Sequence, residues 1–152
     1  MSNRHRAREH VLKALYALEL GEQSREEIFT TLIENGSVGE ETLEFARELF
    51  NKVAQHTPKL DVYISRLATN WDIERLAVVD KNILRMAICE VEHLPDVPIK
   101  VAINEAIELA KKYSTLESAS FVNGVLDKVM KDKEALIKKE EAEKVAESKE
   151  AE

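Results

Sequence analysis

Between Pro95 and Met130 two helical apolar stripes follow one another across a short break, and no other stretch restricts the fold as strongly. Ile99, Ala102, Ile103, Ala106, Ile107, Ala110 and Tyr113 recur at helical spacing, so one face of a helix is apolar and must be covered. Phe121, Val122, Val125, Leu126, Val129 and Met130 repeat the pattern in a second helix. Pro95 and Pro98 set off the first, because proline is tolerated at a helix start and not inside one. Ser114 and Glu117 stand at capping-box spacing before the second, which can equally begin a few residues later. Gly124 is the anomaly: within a helix it costs about 1 kcal/mol against alanine, and Asn123 beside it is also a poor helix former. Two readings follow: a helix crossing with Gly124 at the contact, which local grounds favour, or a surface built for a partner.

The rest of the chain has the same helical character. Aromatic residues make up 5% and glycine and proline number four and three, which disfavours a sandwich or barrel with many tight turns. Ala7, Val11, Ala14, Leu15 and Leu18 form a stripe on a helix from near Arg6 to Leu20, stopped by Gly21. Ser24 and Glu27 box the next helix, which carries Ile28, Phe29, Leu32 and Ile33 and ends at Asn35 and Gly36. A third helix, about 40–56, presents Leu43, Ala46, Leu49, Phe50 and Val53; Thr57 and Pro58 are expected to break it, and a short fourth follows through Leu60, Tyr63, Ile64 and Leu67.

The segment from Thr69 to Asp72 reads as a joint between halves, with Trp71 as a packing anchor and Asp72 as a cap. Beyond it a helix of about 74–93 buries Leu76, Ile83, Leu84, Ala87, Ile88 and Val91, leaving Asp80, Lys81 and Arg85 on or beside its solvated face. Cys89, the lone cysteine, lies among these apolar residues and reads as core in a reducing compartment. The reading is all-α, about seven helices in two small packed bundles: a body of residues 1–130 with subdomains of about 1–70 and 71–130, then a charged tail over 131–152. That tail is rich in Lys, Glu and Ala and holds Leu136 and Ile137 as its one large apolar pair, so a few helical turns and then disorder are expected.

The net charge of −7 argues against nucleic acid until its distribution is considered. Arg4, Arg6, Arg8 and Lys13 face Glu9 alone in the first thirteen residues, a basic island on an acidic chain. Cations at a helix N-terminus oppose the macrodipole, so stability does not account for them. They are phosphate ligands or a solvated arm, and the residues alone do not separate the two. No phosphate-cradling loop, nucleophile elbow or zinc-protease motif is present, the four histidines are scattered, and no carboxylate pair stands out, so neither enzyme, cofactor nor metal site is expected. With no long apolar run and no signal-peptide core, the expected location is cytoplasmic.

DVPIKVAINEAIELAKKYS followed by FVNGVLDKV resembles the C-terminal signature of the NusB family, bacterial antitermination factors that bind RNA. RHRAREHVLKALYALEL resembles the family's arginine-rich opening helix, and DKNILRMAICE its middle helix. The resemblance runs from about Arg4 to Val129 and implies binding of boxA RNA together with NusE, a small-subunit ribosomal protein. It further implies assembly with NusA, NusG and RNA polymerase to suppress termination, chiefly in ribosomal RNA operons. By position it assigns Arg4, His5, Arg6 and Arg8 to RNA contacts, with His5 a departure from arginine that makes its contact weaker and pH-dependent. Phe121 is placed where a ring stacks on an unpaired base, and Glu117 where an acid tempers RNA affinity. Tyr16 and Asp80 match positions facing NusE, Asp80 being one methylene shorter than the usual glutamate. Family members are found both as monomers and as homodimers that hide the arginine surface, and the sequence does not choose. Two alternatives remain: an accessory domain of an RNA methyltransferase, though no catalytic domain follows here, and a helical scaffold whose arginines contact an acidic protein.

Overall fold

The structure, a computed structural model, describes residues 3–36, 39–68 and 72–150. Six α-helices account for most of them: α1 Arg4–Leu20, α2 Arg25–Ile28, α3 Glu40–Leu67, α4 Val78–His93, α5 Ile99–Tyr113 and α6 Leu116–Glu150. There is no strand among the described residues. Trp71, the expected packing anchor, lies outside them, as do its neighbours Thr69 and Asn70.

α1 ends where Gly21 adopts a left-handed φ of 75°, a conformation that costs glycine nothing. α2 starts at Ser24, whose hydroxyl accepts from the Glu27 amide at 3.2 Å, and continues as a wide turn over Phe29–Ile33 and a tight one over Glu34–Gly36. Asp72 caps the turn Ile73–Arg75 by accepting from the Glu74 amide, so α4 starts at Val78 rather than near Glu74.

Three further boundaries differ from expectation. The helix expected to break at Thr57 and Pro58 is continuous as α3, with Pro58 inside it. Proline removes one amide donor and crowds the preceding turn, and Thr57 Oγ1 donates to the Val53 carbonyl at 2.7 Å in that turn. The cap of α6 is Thr115, whose hydroxyl accepts from the Ser118 amide at 2.9 Å, rather than Ser114. The tail expected to become disordered is helical through Glu150, although every residue from Glu134 to Glu150 is exposed.

The core is one contiguous apolar cluster reached by every helix, and α4 is its axis. From Asn82 to Val91 all ten α4 residues are buried, charged ones included. Three ion pairs fix how α1 lies on it. Arg8 pairs with Glu90, and Glu19 pairs with Arg85 and Lys81, so α1 and α4 run antiparallel. Ser118 on α6 meets Asp80, and Val129 lines a shared cleft with Val91, so α6 runs parallel to α4. No helix among the described residues is long and apolar enough to cross a membrane.

Candidate nucleic-acid interface

The N-terminal turn of α1 carries the basic island, and acidic residues from other elements meet it. Arg4 lies 3.2 Å from Asp96 in the turn after α4 and stacks its guanidinium 4.6 Å above the Phe45 ring of α3. His5 Nδ1 is 2.6 Å from Glu105 of α5, and its other nitrogen is 3.7 Å from Glu9. Arg6 is exposed and makes no ion pair with the described residues. These acidic neighbours offset the unfavourable placement of cations at a helix start. Burial opposes the charged form of Glu9, yet hydrogen bonds from Lys112 and Tyr113 outweigh it and hold its carboxyl below the usual range.

Arg8 departs from the expected RNA contact. It is 2% exposed, its Nε and Nη2 donate to Glu90 at 2.9 and 2.5 Å, and its guanidinium lies 5.0 Å from the Phe45 ring. Burial pushes Glu90 up while Arg8 pulls it down, so each charge is tolerable only with the other present. The arginine is spent on holding α1 to α4.

Asp80 and Arg85 are corrections of the same kind. Asp80 was expected on a solvated face, but it is 6% exposed and accepts from Ser118 Oγ at 2.9 Å through Oδ2, while Oδ1 has no hydrogen-bond donor among the described residues. Arg85 is buried, donating to both Asp61 oxygens at 2.7 and 2.8 Å and to Glu19 at 2.6 Å. Reading α4 as amphipathic missed both, because its central turns are covered on every side. The run ILRMAICEV, apolar apart from Arg85 and Glu90, carried that signal. Phe45, Glu90, Asp96 and Glu105, which shape the arginine end, were missed because their partners are distant in sequence.

Phe121 is half-buried against the core on the second turn of α6. Together with Asp80, Arg75, Leu76, Ser118 and others it lines a cleft of about 210 Å³. Glu117 is exposed at its rim. The cleft and the arginines are not one site. Asp80 precedes Glu90 by ten residues on α4, so they are separated by about 15 Å along its axis. Tyr16 is 41% exposed on α1, one turn before Glu19 and thus toward the Asp80 end of α4.

Gly124 does not sit at a helix crossing: it is exposed, and a Cβ built there would meet nothing within 4 Å. No group of three or more metal-ligating side chains is present among the described residues.

Residues 5–131 match the model of the NusB family. The transcription antitermination protein NusB of Dehalococcoides mccartyi (strain CBDB1) is 45% identical over 130 residues, spanning 86% of this chain and 91% of that protein. That of Thermodesulfovibrio yellowstonii is 41% identical, spanning 85% and 92%. Among solved structures, T. maritima NusB is similar with a TM-score of 0.79 at 37% identity, covering 86% of this chain and 92% of that one. A chain in the complex of the antitermination factors NusB and NusE with dsRNA gives 0.78 at 27% identity, covering 87% and 98%. Sequence and fold agree over the same span, and the chain belongs to the NusB family.

Proposed function

We propose that this protein is a cytoplasmic transcription antitermination factor that binds boxA RNA together with NusE. In this reading it joins NusA, NusG and RNA polymerase and promotes read-through, chiefly in ribosomal RNA operons. The family is one of transcription antitermination factors, not of enzymes. The observation that carries the reading is the shared fold with the NusB chain of the NusE and dsRNA complex, combined with arginines kept at the solvent edge of an acidic protein.

Arg4 and Arg6 are the phosphate contacts. Arg4 reaches the surface beside Asp96, and Arg6 projects from the same turn of α1. Arg8 serves them from behind by fixing α1 on α4. Phe121 offers a ring edge for a base, with Glu117 nearby as a charge that discourages phosphate. Tyr16 lies on an exposed face with Leu20, a pair suited to NusE, and residues 1–130 form the working body.

The test is retention of a boxA-containing RNA and a scrambled control, each with and without NusE. The expected result is preference for boxA that strengthens when NusE is present. Equal retention of both RNAs under all conditions overturns the reading.

A further inference from the structure

Two arginines of α1 share one aromatic ring and differ in how firmly they are held. Arg8 lies 5.0 Å from the Phe45 ring and donates to Glu90 through two nitrogens inside the core, an ion pair that cannot be exchanged without unpacking α1. Arg4 lies 4.6 Å from the same ring, but its bond to Asp96 is a single one, from Nη2 to Oδ2 at 3.2 Å, between side chains 40% and 68% exposed. An ion pair so exposed is weak, because water competes for both partners. The turn that carries Asp96 is nonetheless rigid. The Val97 amide closes it by donating to the Leu94 carbonyl at 3.0 Å, Pro95 takes its second position, and Leu94 and Val97 are buried. An aspartate so close to a helix start is commonly a cap, yet no side chain caps α5, and the carboxylate goes to Arg4 instead. Asp96 makes no other ion pair among the described residues.

Resting on the RNA-binding reading above, we propose that Asp96 is a built-in competitor for the phosphate that Arg4 binds. RNA binding exchanges carboxylate for phosphate on the guanidinium, while Phe45 keeps the guanidinium in place throughout. The planar fork of an arginine suits both anions, so the two compete for the same donors. A phosphate can accept from two guanidinium nitrogens at once, whereas Asp96 accepts from one, so contact by contact the exchange favours the phosphate. The released carboxylate stays beside the strand on its rigid turn and repels it. Asp96 therefore lowers affinity for every RNA alike and does not choose among sequences, because a phosphate contact carries no base information. The exposed arginine is exchangeable and the buried one permanent: Arg8 seats α1, and Asp96 sets how tightly Arg4 holds RNA.

The test measures the affinity of the full-length chain for a boxA-containing RNA by fluorescence anisotropy at one fixed, low salt concentration, with melting temperature as a control. Asp96→Asn removes the charge and keeps a residue suited to the turn. Affinity is expected to rise about two- to fivefold, the range that an exposed ion pair commands, at nearly unchanged melting temperature. In a chain already carrying Arg4→Ala the same change is expected to have little effect, because the competition needs the arginine. Glu108→Gln removes a comparably exposed carboxylate that pairs with Lys111 on α5, and is expected to give only the smaller gain that losing a distant negative charge brings. Lower affinity of Asp96→Asn than of the parent overturns the inference and makes Asp96 a support that positions Arg4 for RNA. Equal gains from Asp96→Asn and Glu108→Gln, or a gain from Asp96→Asn that persists beside Arg4→Ala, also overturn it and leave general charge as the cause. Failure of the parent to bind the RNA overturns the underlying reading and this inference together, whereas parental binding that Asp96→Asn leaves unmoved overturns this inference alone.

Discussion

Arg6 and Arg8, two residues apart, have opposite surroundings, and each dictates its own experiment. Arg8 is sealed against Glu90 under Phe45, so Arg8→Ala leaves a buried carboxylate without its counter-charge and is expected to cost about 3–5 kcal/mol. The double change of Arg4 and Arg6 to alanine removes half-exposed and exposed side chains, so denaturation midpoints are expected to stay within about 0.5 kcal/mol of the parent while RNA retention falls. Equal stability of Arg8→Ala and the parent, read by urea denaturation, removes the structural role given to Arg8. Cys89 supplies a second residue-level test. It is fully buried, and burial with Glu90 beside it pushes the thiol up to about 12, so a thiol reagent is expected to react at pH 8 only after unfolding. The partners of the buried charges were not legible: sequence shows which residues are charged, whereas Glu90, Asp61 and Glu19 become partners only when helices far apart in the chain are packed. Arg6 could be read correctly as exposed, because it falls off the apolar stripe of α1.

At the scale of elements, apolar periodicity was sufficient wherever a helix has one wet face. α1, α5 and the first half of α6 lie close to where the spacing placed them. It failed where a single residue was weighed against a whole helix. Pro58 reads as a break, but the stripe from Phe45 to Leu67 is buried on both sides of it, and that burial outweighs the cost of one lost amide bond. Pro58→Ala restores a donor in the middle of α3 and is therefore expected to raise the melting temperature, by an amount up to the equivalent of about 3 kcal/mol. A fall would show that the proline bends α3 into a shape that the core requires. The tail illustrates the converse: α6 continues through residues of good helix propensity, yet past Met130 it contributes only half-exposed Leu136 and Ile137 and a Tyr63 hydroxyl donating to Asp132 at 2.8 Å. Truncation after Lys133 keeps that bond and is expected to leave both melting temperature and RNA retention nearly unchanged, since exposed helix adds little to a packed body.

At the scale of the molecule, charge distribution does what composition alone obscures. The chain is acidic by seven charges, but the acids packed beside α1 and its seat on α4 are paired: Glu90 to Arg8, Asp61 and Glu19 to Arg85, Glu9 to Lys112, Glu105 to His5. What α1 presents to an approaching phosphate chain is Arg4, Arg6 and Lys13, half-exposed or exposed along one helix. The family's RNA role was therefore legible in the motifs, while the site was legible only in part, because the antiparallel seating of α1 on α4 withdraws one of the three arginines. Counting contacts turns this into a salt dependence. A single strand loses about 0.7 in the logarithmic slope for each phosphate neutralised, so three cations predict a slope of about −2 for boxA RNA binding by the protein alone. The alanine change at Arg4 and Arg6 is expected to flatten the slope to about −0.7. A parent slope steeper than about −4, unaltered by that double change, would place the RNA on another surface, and the lysines of the exposed tail of α6 would be the next to be substituted.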